Sequence, residues 1–140
     1  MKNRFIDNAI FIMLIVVLLF LISYIVVLLY PFKVAEFHSP LKVLTPIVQK
    51  GGSLLYQQDS EKFMQIEGNM NCYYVDGLTL PVGSKPSNRA VGINKEVISI
   101  VIPESLPPAT YFYKCTLTYE VLGIKEVRYE FYTDNFTVTK

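Results

Sequence analysis

Two different patterns divide this chain. Residues 8–32 contain no charged side chain, and residues 9–30 are apolar almost throughout, with no wet face to set a period. At ~1.5 Å per residue, residues 9–30 make a helix of roughly 33 Å, which crosses a hydrocarbon core of about 30 Å with its backbone polar groups satisfied internally. Beyond residue 41 the period becomes two. In residues 110–121, Tyr111, Tyr113, Cys115, Leu117, Tyr119 and Val121 alternate with Phe112, Lys114, Thr116, Thr118 and Glu120, the mark of a strand with one core face and one wet face. Val127, Tyr129 and Phe131 repeat the pattern around Arg128 and Glu130, and residues 122–126 close a hairpin between the two runs. Parity then shifts at Phe136 and Val138, which predicts a bulge or bend at Thr133-Asp-Asn135 before a last strand.

Earlier strands are expected at 42–48, at 53–58 after the Gly51-Gly52 turn, and at 63–75 with a break at Gly68-Asn69. Two short ones follow at 79–82 and 91–93, then a stronger one at 96–102 that stops at Pro103. No window offers a capped amphipathic helix. Many short strands between Gly, Pro and Asn turns define a mainly β chain: one N-terminal transmembrane helix followed by an antiparallel immunoglobulin-like or fibronectin-III-like sandwich. The boundaries read as a cytoplasmic stub at 1–8, a membrane helix at 9–30, a juxtamembrane stalk at 31–40 and an extracytoplasmic sandwich at 41–140.

The flanks of the helix carry the membrane expectations. A cleaved secretory signal has a shorter apolar core and small residues at its end, whereas this run leaves through Tyr30-Pro-Phe-Lys-Val34, so an uncleaved anchor is predicted. Lys2 and Arg4 precede it, and positive charge stays on the cytoplasmic side. The span has no GxxxG and no buried charge, hence no sign of a strong dimer seam or a proton path.

Charge and composition exclude more than they assign. Setting aside Lys2, Arg4 and Asp7, the remaining 11 basic and 11 acidic residues balance, which argues against nucleic acid as a partner. The single histidine, His38, cannot build a His cluster, Cys72 and Cys115 lack CxxC spacing, and no serine sits in a Gly-x-Ser-x-Gly elbow. Carboxylate pairs such as Glu126 with Glu130 have the spacing of a solvated strand face. No catalytic, cofactor-binding or metal-ligating residue is assigned, and the chain reads as a non-enzyme. Phe112 and Tyr132 fall on the face opposite the core with Lys114 and Arg128 nearby, an aromatic and cationic mixture suited to partner contact.

In Pro107-Pro-Ala-Thr-Tyr111-Phe-Tyr113-Lys-Cys115 a tyrosine stands two residues before a cysteine at the start of the longest alternating run. This resembles the tyrosine corner and F-strand cysteine of immunoglobulin-like domains, and the resemblance implies that the Tyr113 hydroxyl ties the preceding loop to the strand. The chain departs from that pattern in having no tryptophan and in the short interval between its cysteines. Counting strands from Leu41 puts Cys72 on the third, a neighbour of the sixth within one sheet, where Cys72 and Cys115 either bridge or pack as buried thiols.

A second resemblance covers the chain from the anchor onward. The order Tyr30-Pro-Phe-Lys, Val48-Gln-Lys-Gly-Gly-Ser-Leu-Leu-Tyr, Ile102-Pro-Glu-Ser-Leu-Pro-Pro-Ala-Thr-Tyr and Phe136-Thr-Val is similar to small membrane-anchored immunoglobulin-like proteins encoded by tailed bacteriophages, with Ala109 where such proteins often have Gly. It implies a phage or prophage product in a bacterial inner membrane, single-pass, with its amino terminus cytoplasmic and its domain periplasmic. Beside the lipid bilayer, the expected partner is another envelope protein. The roles that fit are superinfection exclusion, lysis timing or a structural envelope subunit. The sequence leaves the oligomeric state open.

Overall fold

The computed structural model describes residues 2–140, with side chains from Asn8 onward. The charges at Lys2 and Arg4 that set the expected orientation therefore lie outside the described side chains. The chain divides into two units, Met1–Phe32 and Lys33–Lys140. The first is the helix α1 (Lys2–Leu29). Within it Asn8–Leu29 is long and apolar enough to cross a membrane, and its side chains are exposed along almost the whole length.

The second unit is built from nine strands: β1 (Ala35–Phe37), β2 (Ile47–Gln49), β3 (Ser53–Lys62), β4 (Gly68–Val75), β5 (Thr79–Ser87), β6 (Gly92–Val101), β7 (Thr110–Val121), β8 (Lys125–Tyr132) and β9 (Phe136–Thr139). One sheet has the order β1-β3-β6, and the other runs β2-β9-β7-β4-β5 with β8 also paired to β7. All pairings are antiparallel except β2 with β9. The two sheets face each other across an aromatic layer. The rings of Tyr56 on β3 and Tyr113 on β7 lie 6.0 Å apart, and Phe37 on β1 stacks on Phe131 of β8 at 4.6 Å. This is an immunoglobulin-like β-sandwich.

The alternation in β7 is realised in full, with Tyr111, Tyr113, Cys115, Leu117, Tyr119 and Val121 all buried. The turn into β8 is tighter than expected: three residues, 122–124, separate the paired Val121 and Lys125, Leu122 (φ 55°) and Gly123 (φ 65°) both take left-handed conformations, and the Ile124 N–H donates to the Val121 carbonyl at 3.2 Å. At the other end of β8 the bend at 133–135 restores parity as predicted. Thr133 is buried, its N–H donates to the Tyr113 carbonyl at 2.9 Å, and its hydroxyl accepts from the Tyr113 N–H at 3.0 Å. A side-chain oxygen thus substitutes for the missing ladder acceptor while the chain slips one residue, and Phe136 and Val138 turn inward.

Several boundaries move. Residues 33–40 of the stalk expected at 31–40 belong to the sandwich unit: Val34 and Ala35 are buried, β1 pairs with β3, and the Val34 N–H donates to the Tyr129 hydroxyl at 2.8 Å. The short prediction at 79–82 grows into the nine-residue β5, since ladder pairing with β4 overrides the weak propensity of Pro81, Gly83 and Pro86, and those at 91–93 and 96–102 merge into the ten-residue β6 paired with β3. The strand expected at 42–48 shrinks to β2 and isolated bridges at Leu41 and Val43. The break expected at Gly68-Asn69 falls earlier, at 63–67, and both residues open β4; Gly68 is paired there opposite Tyr119, where a Cβ would stand 2.7 Å from the ring.

The tyrosine corner is also displaced. The hydroxyl that ties the loop to β7 is that of Tyr111, donating to the Pro107 carbonyl at 2.9 Å, and not that of Tyr113. Both point inward, but Tyr113 lies one inward position further along the strand, where its ring packs 6.0 Å from Tyr56 and 5.4 Å from Tyr74. Cys72 and Cys115 are directly opposite in the β4–β7 register, with Cα atoms 4.1 Å apart, and they form a disulfide within one sheet.

A candidate contact face on the larger sheet

The even-numbered residues of β7 and β8 look away from the core, and register sorts them into rows. Tyr73 on β4, Lys114 on β7 and Tyr132 on β8 form one row. Asn71, Thr116 and Glu130 form the next, and Asn69, Thr118 and Arg128 a third. Phe112 pairs with Val75 at the end beyond the first row. The Phe112 and Tyr132 rings meet edge to face with centroids 6.2 Å apart and planes at 71°, a geometry favoured by the ring quadrupoles. Tyr132 is 44% exposed. Lys114 Nζ stands 2.8 Å from Glu130 Oε2, so the cation at this end is already paired.

These side chains border a recess of about 510 Å³ whose other walls are Pro40, Thr133, Asp134 and Asn135. Its shape is fixed by the 39–41 segment. The Ser39–Pro40 peptide is cis, the Ser39 hydroxyl accepts from the Tyr132 N–H at 3.3 Å, and the Leu41 N–H donates to the Tyr132 carbonyl at 2.8 Å. The Asp134 N–H returns to the Leu41 carbonyl at 2.9 Å. The bend that repairs parity therefore also forms the recess.

Arg128 is not part of this end. It lies four residues from Tyr132, about 13 Å along the strand at ~3.3 Å per residue, and its guanidinium pairs with Glu126. The opposite end of the face is acidic, with a hollow of about 830 Å³ bordered by Glu67, Glu120 and Glu126 among others. Among the described residues no three His, Cys, Asp or Glu side chains are grouped to hold a metal ion. His38 is exposed at the end of β1, its N–H donating to the Asp59 carbonyl at 3.4 Å.

Two features escaped the sequence reading. Tyr73 extends the aromatic end onto β4, and its signal was the alternation of Cys72 and Tyr74 inward around it. The second is a polar plug between the sheets. Along β3 the inward positions change from Leu54 and Tyr56 to Gln58, Ser60 and Lys62, all buried. Arg89, from the link between β5 and β6, donates to Gln58 Oε1 at 3.0 Å and lies 3.6 Å from Glu96 Oε2, while Lys62 Nζ donates to the Arg89 carbonyl at 2.8 Å. Burial, helped by the Arg89 charge, lowers the Lys62 pKa. Every partner here is internal, so the cluster closes one end of the sandwich. In the tyrosine layer burial pushes Tyr56 and Tyr74 up to about 12 and raises Tyr113 as well, which keeps these phenols neutral.

No protein-family model matches this chain, and no curated protein matches it. Among solved structures it is similar to the CARDB domain of the PF1109 protein from Pyrococcus furiosus, determined in complex with di-metal ions. That likeness covers 78% of this chain and 97% of that one, at 9% identity and a TM-score of 0.41. It is also similar to part of a beta-glucosidase from Listeria innocua in complex with glucose, over 76% of this chain and 17% of that one, at 12% identity and a TM-score of 0.33.

Proposed function

We propose that this chain is a membrane-anchored, non-enzymatic binding module of a bacterial envelope, and that the aromatic end of the larger sheet captures another envelope protein. The observation that carries the reading is the edge-to-face pair of Phe112 and Tyr132 on the outer face, beside a recess and the Lys114–Glu130 ion pair. Aromatic anchors of this kind supply most of the energy at contact surfaces, and a paired charge at their rim adds orientation more than affinity. In this reading the anchor sits in the inner membrane with the domain periplasmic, and the phage resemblance favours a role in superinfection exclusion.

The test is capture. A membrane-impermeant crosslinker added to spheroplasts joins the wild-type domain to a protein partner. Replacing Phe112→Ser together with Tyr132→Ser leaves folding and membrane insertion intact and lowers capture by at least about tenfold, the loss expected from truncating a two-residue anchor. A wild-type domain that captures nothing overturns the binding role or the periplasmic location. A double variant that unfolds assigns both rings to the core, and one that captures as well as wild type moves the contact off this face.

A further inference from the structure

An open sheet edge is a row of unpaired N–H and C=O groups, and folded proteins shorten, bend, charge or cover such edges. Most edges here are managed in that way. β1 and β2 are three residues each. β5 carries Pro81, Pro86, a register shift against β4 and Gly83 at φ 132°. β8 bears Glu126, Arg128 and Glu130 at alternate positions, and its Tyr132 N–H is taken by Ser39. β6 is the least protected: it opens on Gly92 at φ 111°, and its only charges, Lys95 and Glu96, are paired within the chain. It is ten residues long, contains no proline, stands at the end of the order β1-β3-β6, and pairs in unbroken register with β3 alone.

The direction of its free groups follows from the residue beyond it. The Ile102 N–H donates to the Gly52 carbonyl at 2.8 Å and the Ile102 carbonyl accepts from the Gly51 N–H at 3.0 Å. Even-numbered residues therefore face the β3 side, and Ile93, Lys95, Val97, Ser99 and Val101 direct their backbone groups to the open edge. The same five side chains lie on the outer face, where Ile93, Val97 and Val101 are 71%, 61% and 66% exposed. The charges on the strand are answered within the chain: Lys95 lies 3.5 Å from Asp59, and Glu96 lies 3.6 Å from Arg89.

We infer that β6 pairs with β6 of a second copy, antiparallel and centred on Val97. In that register Ile93 faces Val101 of the second copy, Val97 faces its equivalent, and Lys95 faces Ser99. All three exposed apolar residues are matched, and no like charges oppose one another. Centring on Glu96 sets Lys95 against Val97 and Ile93 against Ser99; centring on Ile98 sets Lys95 against Val101; centring on Lys95 sets two lysines together. The matched register exchanges about ten backbone hydrogen bonds and joins two three-stranded sheets into one of six. Self-complementarity of the strand favours a second copy over a foreign peptide, because only a two-fold pairing needs the pattern to be symmetric about one residue.

Single cysteines test this on the full chain in lipid vesicles. Both native cysteines are held in the disulfide, so an added thiol at an exposed position is the one free to react. Under mild oxidation Val97→Cys forms a covalent dimer at least about tenfold faster than Lys95→Cys or Ser99→Cys, because the paired Cα separation of ~5.5 Å suits a disulfide and the offset positions do not. Mixing Lys95→Cys with Ser99→Cys copies restores the crosslink as a heterodimer. Equal rates at all three positions mean random collision and overturn the inference. So do a crosslink favouring 95 or 99 alone, no crosslink at 97, or a crosslink from 97 to a different protein.

Discussion

Removing one oxygen atom at each of two neighbouring tyrosines separates a structural hydrogen bond from a packed ring. Tyr111 is almost fully buried and its hydroxyl bonds the Pro107 carbonyl at 2.9 Å. Pro107 itself is exposed, so in Tyr111→Phe the carbonyl regains water and the loss is the net worth of one hydrogen bond, about 1 kcal/mol. For the 108 residues of Lys33–Lys140 the unfolding entropy is roughly 0.23 kcal/mol per kelvin, so the melting temperature falls by about 4 °C. Tyr113→Phe is expected to change stability by less than about 0.5 kcal/mol, because burial already penalises its hydroxyl and the ring contacts with Tyr56 and Tyr74 remain. Calorimetry and urea unfolding of the full chain in detergent measure both. A Tyr113→Phe loss equal to or larger than that of Tyr111→Phe refutes the placement of the corner.

The disulfide and the tyrosine layer give two further predictions. Closing 43 residues between Cys72 and Cys115 restricts the unfolded chain, so reduction lowers the unfolding free energy by up to about 4 kcal/mol; alkylation under denaturing, nonreducing conditions should label neither cysteine, and two labelled thiols would contradict the bridge. Burial holds Tyr56 and Tyr74 at about 12 against 10.0 in the unfolded chain, so their contribution is complete below pH 10 and is lost as pH rises from 10 through about 12, where the unfolded state alone releases protons. The urea midpoint should fall across that window, and a flat midpoint would show that the phenols are not held neutral.

What the sequence disclosed depended on how strongly a residue was set by its own strand. β7 was readable because six inward residues alternate without interruption, and the slip at 133–135 because parity changes on either side of it. Phe112 and Tyr132 followed from the same alternation, and the structure brings their rings together. Arg128 was misplaced because proximity in sequence was taken for proximity on the face, when row spacing sets it two rows away. Tyr111 and Tyr113 share a face and a residue type, so only the path of the 103–109 loop, a tertiary fact, decides which hydroxyl reaches the Pro107 carbonyl. β1 and β5 were missed or curtailed for a related reason: their own residues carry weak strand propensity, and pairing with β3 and β4 supplies the order. The plug around Arg89 was hidden because the polar residues of β3 find their partner in Arg89, some 30 residues further along the chain.

A covalent bond that lies within one sheet changes how the domain responds to tension. Drawn taut from Lys33 to Lys140, an uncrosslinked chain of 107 residue steps would reach roughly 370 Å at about 3.5 Å per step. The bridge removes the 43 steps from Cys72 to Cys115, leaving 64 and a leash of roughly 220 Å. The disulfide does not tie β1, β3 and β6 to the opposite sheet, so pulling separates the two layers against packing and a few hydrogen bonds such as Val34 to Tyr129. The parallel β2–β9 pair joins a strand near the start of the domain to the one at its end, so a load carried between those ends shears its hydrogen bonds together instead of opening them one at a time.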